Sequence, residues 1–215
     1  MRCFLFFLIG FLGFSNAMGV KDAYGHPIER GLSQEDSSYG RLERPAALCV
    51  GAGTTVDSWK RFRSILDGRF RYLDTIGIFV NYEEGSLFDE SAPSLRVLAG
   101  GFELRPLFLI RWITGSTFGN PRCDLLLDSL ELEFGLFGAQ VRKAGRLEWD
   151  RGFQAGLGLE FPIFPSAQGL WLGAHTGMRW TEVSFEQGTP QGPASYISLT
   201  LSWHQFIPFF YRLTN

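Results

Sequence analysis

The chain has 215 residues, of which 45% are hydrophobic and 15% aromatic, and its formal net charge at pH 7 is −2. This length suits one domain, and without a basic excess no nucleic acid is expected as a partner. After the first residues no apolar run reaches the roughly 18 residues that a membrane-spanning helix requires, so the chain could enter a bilayer only as a closed β-barrel.

The first 17 residues predict a secretory signal peptide. Arg2 supplies a positive start, the run Cys3–Phe14 is apolar, and Ser15–Ala17 is a small-residue cleavage site. Met18 stands where the signal of a lipoprotein would place a cysteine. We therefore expect export and cleavage without a lipid anchor.

The chain after the signal peptide divides into an arm and a domain. Residues 18–44 are polar and lack apolar periodicity, which predicts a flexible N-terminal arm, and residues 45–215 are predicted to form a β-barrel domain. The first strand is predicted at 45–56 and the second at 68–82, because apolar residues alternate in both. The apolar residues of 57–66 recur at helical spacing, which favours a short helix there over another strand.

The segment around Pro106 is open to more than one interpretation. Residues 95–105 alternate and predict a strand, which the proline interrupts because it lacks an N–H group. Residues 107–113 could form a separate strand, a bent continuation, or a helix that begins at the proline. Residues 124–129 predict one helical turn.

The alternation is clearest in the second half of the chain. Residues 130–138 predict a strand with a bulge near Phe137, and residues 195–207 predict the last strand. Between them, residues 150–182 predict a hairpin with one apolar face and one face made mainly of glycine with a few charges. Such a second face would be a poor solvent surface, but it suits the crowded interior of a small barrel whose apolar face meets lipid.

These patterns predict an all-β fold: an antiparallel up-and-down transmembrane β-barrel with one or two short helical turns. Barrels of one chain in outer membranes use even strand numbers from about 8 upward, so eight strands are expected and ten remain open. Seven strands are supported by alternation, and either 57–66 or 106–114 would supply the eighth.

The signal peptide, the hairpins that alternate Leu and Ala with Gly and Glu, and the C-terminal strand resemble the small outer-membrane β-barrel proteins of Gram-negative bacteria, the OmpA-like and OmpX-like class. The resemblance implies location in the cell outer membrane, contact with lipid and lipopolysaccharide, and insertion by the barrel-assembly machinery. Members of this class commonly end on an aromatic residue. This chain ends with Phe209–Asn215, in which Phe210 or Tyr211 could serve instead.

Charged residues on the predicted lumen face are expected to form a network, since buried charges persist only with partners. An eight-stranded barrel has an interior just wide enough for side chains, so a conducting pore is not expected. The members of the predicted network are Glu103, Arg105, Glu131, Glu133, Glu160, His175 and Arg179.

Five tryptophans lie near predicted strand ends, where aromatic girdles meet the two membrane interfaces. A girdle is therefore predicted, with ordinary packing of these rings as the alternative. The five are Trp112, Trp149, Trp171, Trp180 and Trp203.

Cys49 and Cys123 remain after removal of the signal, and an oxidising envelope would permit a disulfide between them, although two separate thiols are favoured. The sequence contains no cysteine or histidine cluster with metal-ligand spacing, so no metal and no cofactor is expected.

The predicted function is a structural, adhesive or interaction role through the loops, without catalysis, because loops of such scaffolds carry function. One alternative is a lipid hydrolase in the last hairpin, where His175 is expected close to Ser202, which shares a face with His204. The other is a soluble, lipocalin-like periplasmic barrel, which would enclose an apolar ligand and turn its Leu, Phe and Ile side chains inward.

Overall fold

A computed structural model of the chain describes residues 41, 46–57, 62–85, 94–116, 118, 120–143, 146–181 and 193–207. Within these ranges eight strands each pair antiparallel with the next, and the last pairs with the first, so the sheet is a closed barrel. The predicted eight-stranded antiparallel barrel is confirmed. The strands are β1 (Ala46–Asp57), β2 (Phe62–Tyr72), β3 (Ile76–Glu84), β4 (Ser94–Leu104), β5 (Glu131–Lys143), β6 (Arg146–Pro162), β7 (Gly169–Thr181) and β8 (Ala194–Ile207).

The barrel has an apolar outside and a polar inside. Exposed and buried residues alternate along the strands, as the period of two requires, and large apolar side chains occupy the exposed positions. The lipocalin-like alternative needed the opposite arrangement and is contradicted. The outward residues, here called the apolar belt, include Leu48, Phe70, Ile78, Val80, Leu98, Phe102, Leu136, Leu157, Leu172, Leu199 and Leu201.

The two ends of the barrel differ in their connections. β1 begins and β8 ends at the same end, here called the terminal end; the opposite end is the loop end. The terminal end also carries the turn at 73–75, the connection between β4 and β5, and the turn at 163–168. The connection between β4 and β5 contains two helices, α1 (Pro106–Thr114) and α2 (Pro121–Asp128). Neither helix is long and apolar enough to span a membrane.

The prediction of a helix at 57–66 is wrong for residues 62–66, which the structure describes. Phe62–Leu66 is the start of β2, and this segment pairs with both β1 and β3. Ladder hydrogen bonds to two neighbours outweigh an apolar spacing that fits a helix. The single strand predicted at 68–82 is also wrong. Leu73 and Asp74, each with φ of 52°, turn the chain between β2 and β3.

The helical interpretations after β4 are confirmed. Pro106 occupies the first turn of α1, where its missing N–H costs nothing, and Gly115 ends the helix in the left-handed conformation. The turn predicted at 124–129 is α2, which begins earlier. The side-chain oxygen of Asn120 accepts from the N–H groups of Arg122 and Cys123 and so caps its start.

The bulge predicted near Phe137 is wrong. The register of β5 with β6 is continuous, and Phe137 points inward while Gly138 lies outward beside the Trp149 ring. Because the inward residue is large and apolar and the outward one is glycine, the sequence pattern looks as if the two faces of the strand had been exchanged at this point. The irregularity lies elsewhere, in β4, between Ser94 and Arg96.

Most predictions for the two ends of the chain concern residues that the structure does not describe. The signal peptide at 1–17 and the end Phe209–Asn215 lie outside it, as does the arm at 18–44 except for Arg41. Arg41 is helical and its side chain is buried.

Glycine permits close approach of β4 and β5. Gly101 and Gly135 face each other, and a Cβ on Gly101 would lie 2.5 Å from the Cα of Gly135 and 2.1 Å from the carbonyl oxygen of Phe134. Only a residue without a side chain fits this contact without moving backbone.

We predict that Gly101→Ala destabilises the barrel by about 1–3 kcal/mol, because the added methyl group meets backbone that cannot turn aside. Gly68→Ala is the matched control, since the nearest atom to its Cβ is the Val80 oxygen at 3.8 Å. Urea unfolding in detergent micelles measures the difference. Equal midpoints for the two variants would contradict the close approach.

Candidate functional site: the charged interior

Ten charged or titratable side chains meet in the middle of the barrel, here called the central cluster. Each is at most 5% exposed. They come from the inward positions of β2, β4, β5, β6, β7 and β8, together with Arg105, which follows β4 directly. The members are Asp67, Arg69, Arg71, Glu103, Arg105, Glu131, Glu133, Glu160, His175 and His204.

Arg69 is the most highly connected of these residues. Its Nη1 lies 2.8 Å from carboxylate oxygens of both Glu103 and Glu133 and also contacts Glu131. Its Nε donates to Asp67 at 2.8 Å. One guanidinium group therefore joins side chains of β2, β4 and β5, a geometry that its planar set of five donors allows.

Arg71 and Arg105 extend the cluster toward the terminal end. Nε of Arg71 donates to Glu103 at 2.5 Å, and its Nη2 lies 3.1 Å from both Glu131 and Glu160. Arg105 contacts Glu160 and donates to Asp74 at 2.9 Å. The central cluster is thereby connected to the turn between β2 and β3.

Charge counting shows what the two histidines contribute. Five carboxylates of the central cluster face three guanidinium groups. Nδ1 of His175 lies 3.1 Å from Glu133 and 3.3 Å from Glu131, and Nε2 of His204 lies 3.3 Å from Glu160. With a proton on each histidine the cluster carries five charges of each sign, which is the balance that burial favours.

A second group of ion pairs lies nearer the loop end. Nη2 of Arg63 is 2.6 Å from Asp57, and its Nη1 is 3.2 Å from Glu83. Glu83 also binds Arg179 at 2.5 Å, and the guanidinium of Arg179 lies 4.3 Å from the centre of the Tyr196 ring. Two acids and two arginines therefore fill this part of the interior with no net charge.

A third group, here called the terminal cap, lies where the helices meet the barrel. Arg41 contacts Asp128 and lies 2.9 Å from Asp74, while Arg111 contacts Asp124 and lies 2.8 Å from Asp128. Burial raises the pKa of Asp128 even though both arginines lower it, so its desolvation is only partly offset.

An apolar layer lies beside the ion pairs of the terminal cap. Leu125 of α2 is fully buried among side chains from the strands and the turn at 163–168, and so packs α2 onto the mouth of the barrel. Its partners are Ala47, Ala167, Trp171 and Phe206.

The structure places all seven residues of the predicted lumen network inside the barrel. Six of them meet in the central cluster, and Arg179 lies in the group near the loop end. Arg69 and Arg71 also belong to this network; they were not among the predicted members, although both have the lumen parity. Arg41 and Asp74 were not predicted either, because their partners are distant along the chain.

The predicted aromatic girdle is wrong for one of its five members, Trp171. Trp171 points inward, is 3% exposed, and stacks on His204 with ring centroids 4.7 Å apart. Trp112 lies on α1 and not on a strand. Trp149 and Trp203 face outward, and Trp180 packs its ring against Phe153.

The proposed hydrolase geometry is incomplete. Oγ of Ser202 lies 3.1 Å from Nε2 of His204, and Glu160 lies 3.3 Å from the same nitrogen. A base that activates a serine needs one ring nitrogen for the serine and the other for the carboxylate that orients it. Ser202 is also buried, and the strand register places it opposite Trp171, so the expected proximity to His175 is wrong.

Metal binding and disulfide formation can be assessed from the same contacts. Ligand atoms of Glu131, Glu160 and His175 lie within 4.8 Å of one another. Both carboxylates already accept from arginines, so a cation there would meet positive charge.

Cys49 and Cys123 are free thiols, one buried and the other exposed, and Cys49 accepts a hydrogen bond from Arg71 at 3.1 Å.

The fold and this interior define an eight-stranded barrel with an apolar outside and a lumen filled by ion pairs. No protein-family model matches the sequence, and no curated protein matches it. Solved structures that are similar to the chain include small outer-membrane barrels and designed transmembrane β-barrels.

Three of these structures represent the similarity. The N-terminal β-barrel domain of Pseudomonas aeruginosa OprF has 10% identity and a TM-score of 0.47, covering 74% of this chain and 97% of that domain. Neisserial surface protein A has 11% identity and a TM-score of 0.39, with 75% and 96% covered. The attachment invasion locus protein Ail of Yersinia pestis has 12% identity and a TM-score of 0.37, with 75% and 97% covered. The strand pairing of this chain defines its barrel independently of these similarities.

We predict that Glu131→Gln destabilises the barrel by about 3–5 kcal/mol, because it removes one charge of a buried network and leaves arginines uncompensated. Glu84→Gln is the matched control, since Glu84 pairs with Arg96 where both side chains are exposed, and little change is expected. Urea unfolding in micelles compares the two. A Glu131 variant as stable as the Glu84 variant would show that the network is not under this constraint.

Proposed function

We propose that the protein is an outer-membrane β-barrel, closed to solutes, that acts as a structural, adhesive or interaction protein through its loop end. The apolar belt carries this proposal. Its side chains surround the barrel while charges fill the interior, and this polarity suits lipid outside and is unfavourable in water.

A closed interior follows from the three groups of ion pairs. They occupy the middle of the barrel, its loop-end part and its terminal mouth, and their side chains are buried. Movement of an ion through the barrel would require separation of contacts such as Arg69 with Glu103 and Arg71 with Glu160. The role of these charges is therefore to fill and hold the barrel, and no catalysis is proposed for them.

The loop end offers the surface for interaction. β5 and β6 extend beyond the rest of the sheet, since β6 pairs with β5 from Arg146 but with β7 only from Gly152. Leu147 and Trp149 are exposed on this projecting hairpin. Exposed aromatic and aliphatic side chains at the end of a barrel are suited to contact with another macromolecule.

Export and assembly complete the proposal. The signal peptide at 1–17 would direct the chain across the inner membrane, and the barrel-assembly machinery would insert it among phospholipid and lipopolysaccharide. The expected location is the cell outer membrane, with a porin-like architecture but without a pore.

We predict heat-modifiable migration of the protein on detergent gels, because a barrel closed by backbone hydrogen bonds resists the detergent until it is heated. The protein should also fractionate with outer membranes and give no conductance steps in planar bilayers. Recovery as a soluble periplasmic species with unchanged migration would overturn the membrane assignment. Regular conductance steps would overturn the closed interior alone.

A further inference from the structure

Among the residues that the structure describes, none covers one apolar face of helix α1. Ile110 and Ile113 are 54% and 69% exposed, and Leu109 is exposed beside them, while Phe108 and Arg111 on the opposite face are buried. Residues three and four apart are neighbours on a helix, so the three aliphatic side chains form one contiguous patch.

The polarity of α1 is the same as that of the barrel strands. Its charged residue, Arg111, points inward, where it donates to Asp128 at 2.8 Å and to the carbonyl oxygen of Asp124 at 2.7 Å. Its aliphatic residues point away from the cap. A helix on the surface of a soluble protein has the opposite arrangement, with apolar residues facing the core and charges facing water.

α1 begins at the edge of the apolar belt. α1 begins two residues after Leu104, the last outward residue of β4, which pairs with the exposed Ile76 of β3. Phe118, which follows α1, is also exposed. It is held in place by its N–H, which donates to Asp124 at 2.9 Å, and by the guanidinium of Arg111, 5.5 Å from the ring centre.

A positive charge also lies at the terminal end, on the helix that follows α1. Arg122, at the start of α2, is exposed and reaches the carbonyl oxygen of Ile163 at 3.4 Å, beside the exposed Phe164. Apolar side chains with a nearby cation are the composition of segments that lie at a membrane interface, where the cation meets lipid phosphate.

The geometry points to phospholipid as the occupant of this face. We infer that α1 lies in the interface of the leaflet at the terminal end, with Leu109, Ile110 and Ile113 inserted at the boundary between headgroups and acyl chains. The inference rests on the proposed membrane location of the barrel. α1 then sets the depth of the barrel in the membrane, while α2 packs onto its mouth.

Depth-dependent quenching tests the inference on the full chain. Cys3 and Cys123 are replaced by Ser, and the buried Cys49 is retained. One cysteine is then introduced at Ile113 on α1, at Leu199 in the middle of the belt, or at Leu147 on the projecting hairpin. Each folded variant carries an environment-sensitive fluorophore in phosphatidylcholine vesicles that contain lipids brominated near the headgroup or near the end of the acyl chain.

The expected result is quenching at Ile113 that is stronger with bromine near the headgroup, because interfacial helices insert about 5–10 Å into the boundary region. The Leu199 label should be quenched by deep bromine and the Leu147 label by neither lipid. If Leu199 is quenched while Ile113 behaves like Leu147, the barrel spans the membrane but α1 faces water or a protein partner, and the inference fails. If Leu199 is not quenched, the proposed membrane location itself fails.

Discussion

The structure depends on one constraint, which is that charges removed from water must be neutralised where they lie. Arg69 meets this constraint for several carboxylates at once, and Arg71 and Arg105 extend the pattern toward the terminal end. The partners come from strands that are distant in sequence, so the contacts form only when the sheet has closed in one register. A slip of one residue in any strand would turn its charges outward and its apolar residues inward.

This constraint explains why the interior is charged although apolar packing would be simpler. A buried ion pair is often no more stable than the apolar residues that could replace it, so its presence argues for specificity. In a bilayer, the environment proposed for this barrel, apolar side chains have no preference between lipid and an apolar lumen. Charges such as Glu131, which is completely buried, distinguish inside from outside. The network therefore specifies the face of each strand where the hydrophobic effect alone cannot.

The sequence predicts the fold well where both faces of a strand are distinct, as in the hairpin of 150–182. The prediction fails where a large aromatic side chain lies on the inward face and contacts residues of other strands there. Trp171 and Phe137 are large aromatic residues at positions of lumen parity: Trp171 stacks on His204, and the centre of the Phe137 ring lies 5.7 Å from the guanidinium of Arg179. Neither contact leaves a trace in the local pattern.

The turn between β2 and β3 shows the same limit. Leu73 and Asp74 both adopt positive φ, a conformation that sequence analysis expects of glycine or asparagine. Asp74 accepts hydrogen bonds from Arg41 and Arg105, which hold the turn in place. The candidate site was predicted more completely than this turn, since charges on the lumen parity must find partners wherever the barrel closes. The identity of those partners depends on register and could not be derived from spacing.

The terminal cap and the interior form one connected system. Arg105 donates to Asp74 in the cap and contacts Glu160 in the central cluster, and Arg41 contacts both Asp74 and Asp128. Loss of α2 from the mouth would remove Asp128 and Leu125 together, and would expose the arginines nearest that end to water. Hydration would then compete with their ion pairs, so the cap stabilises the buried charges that specify the register.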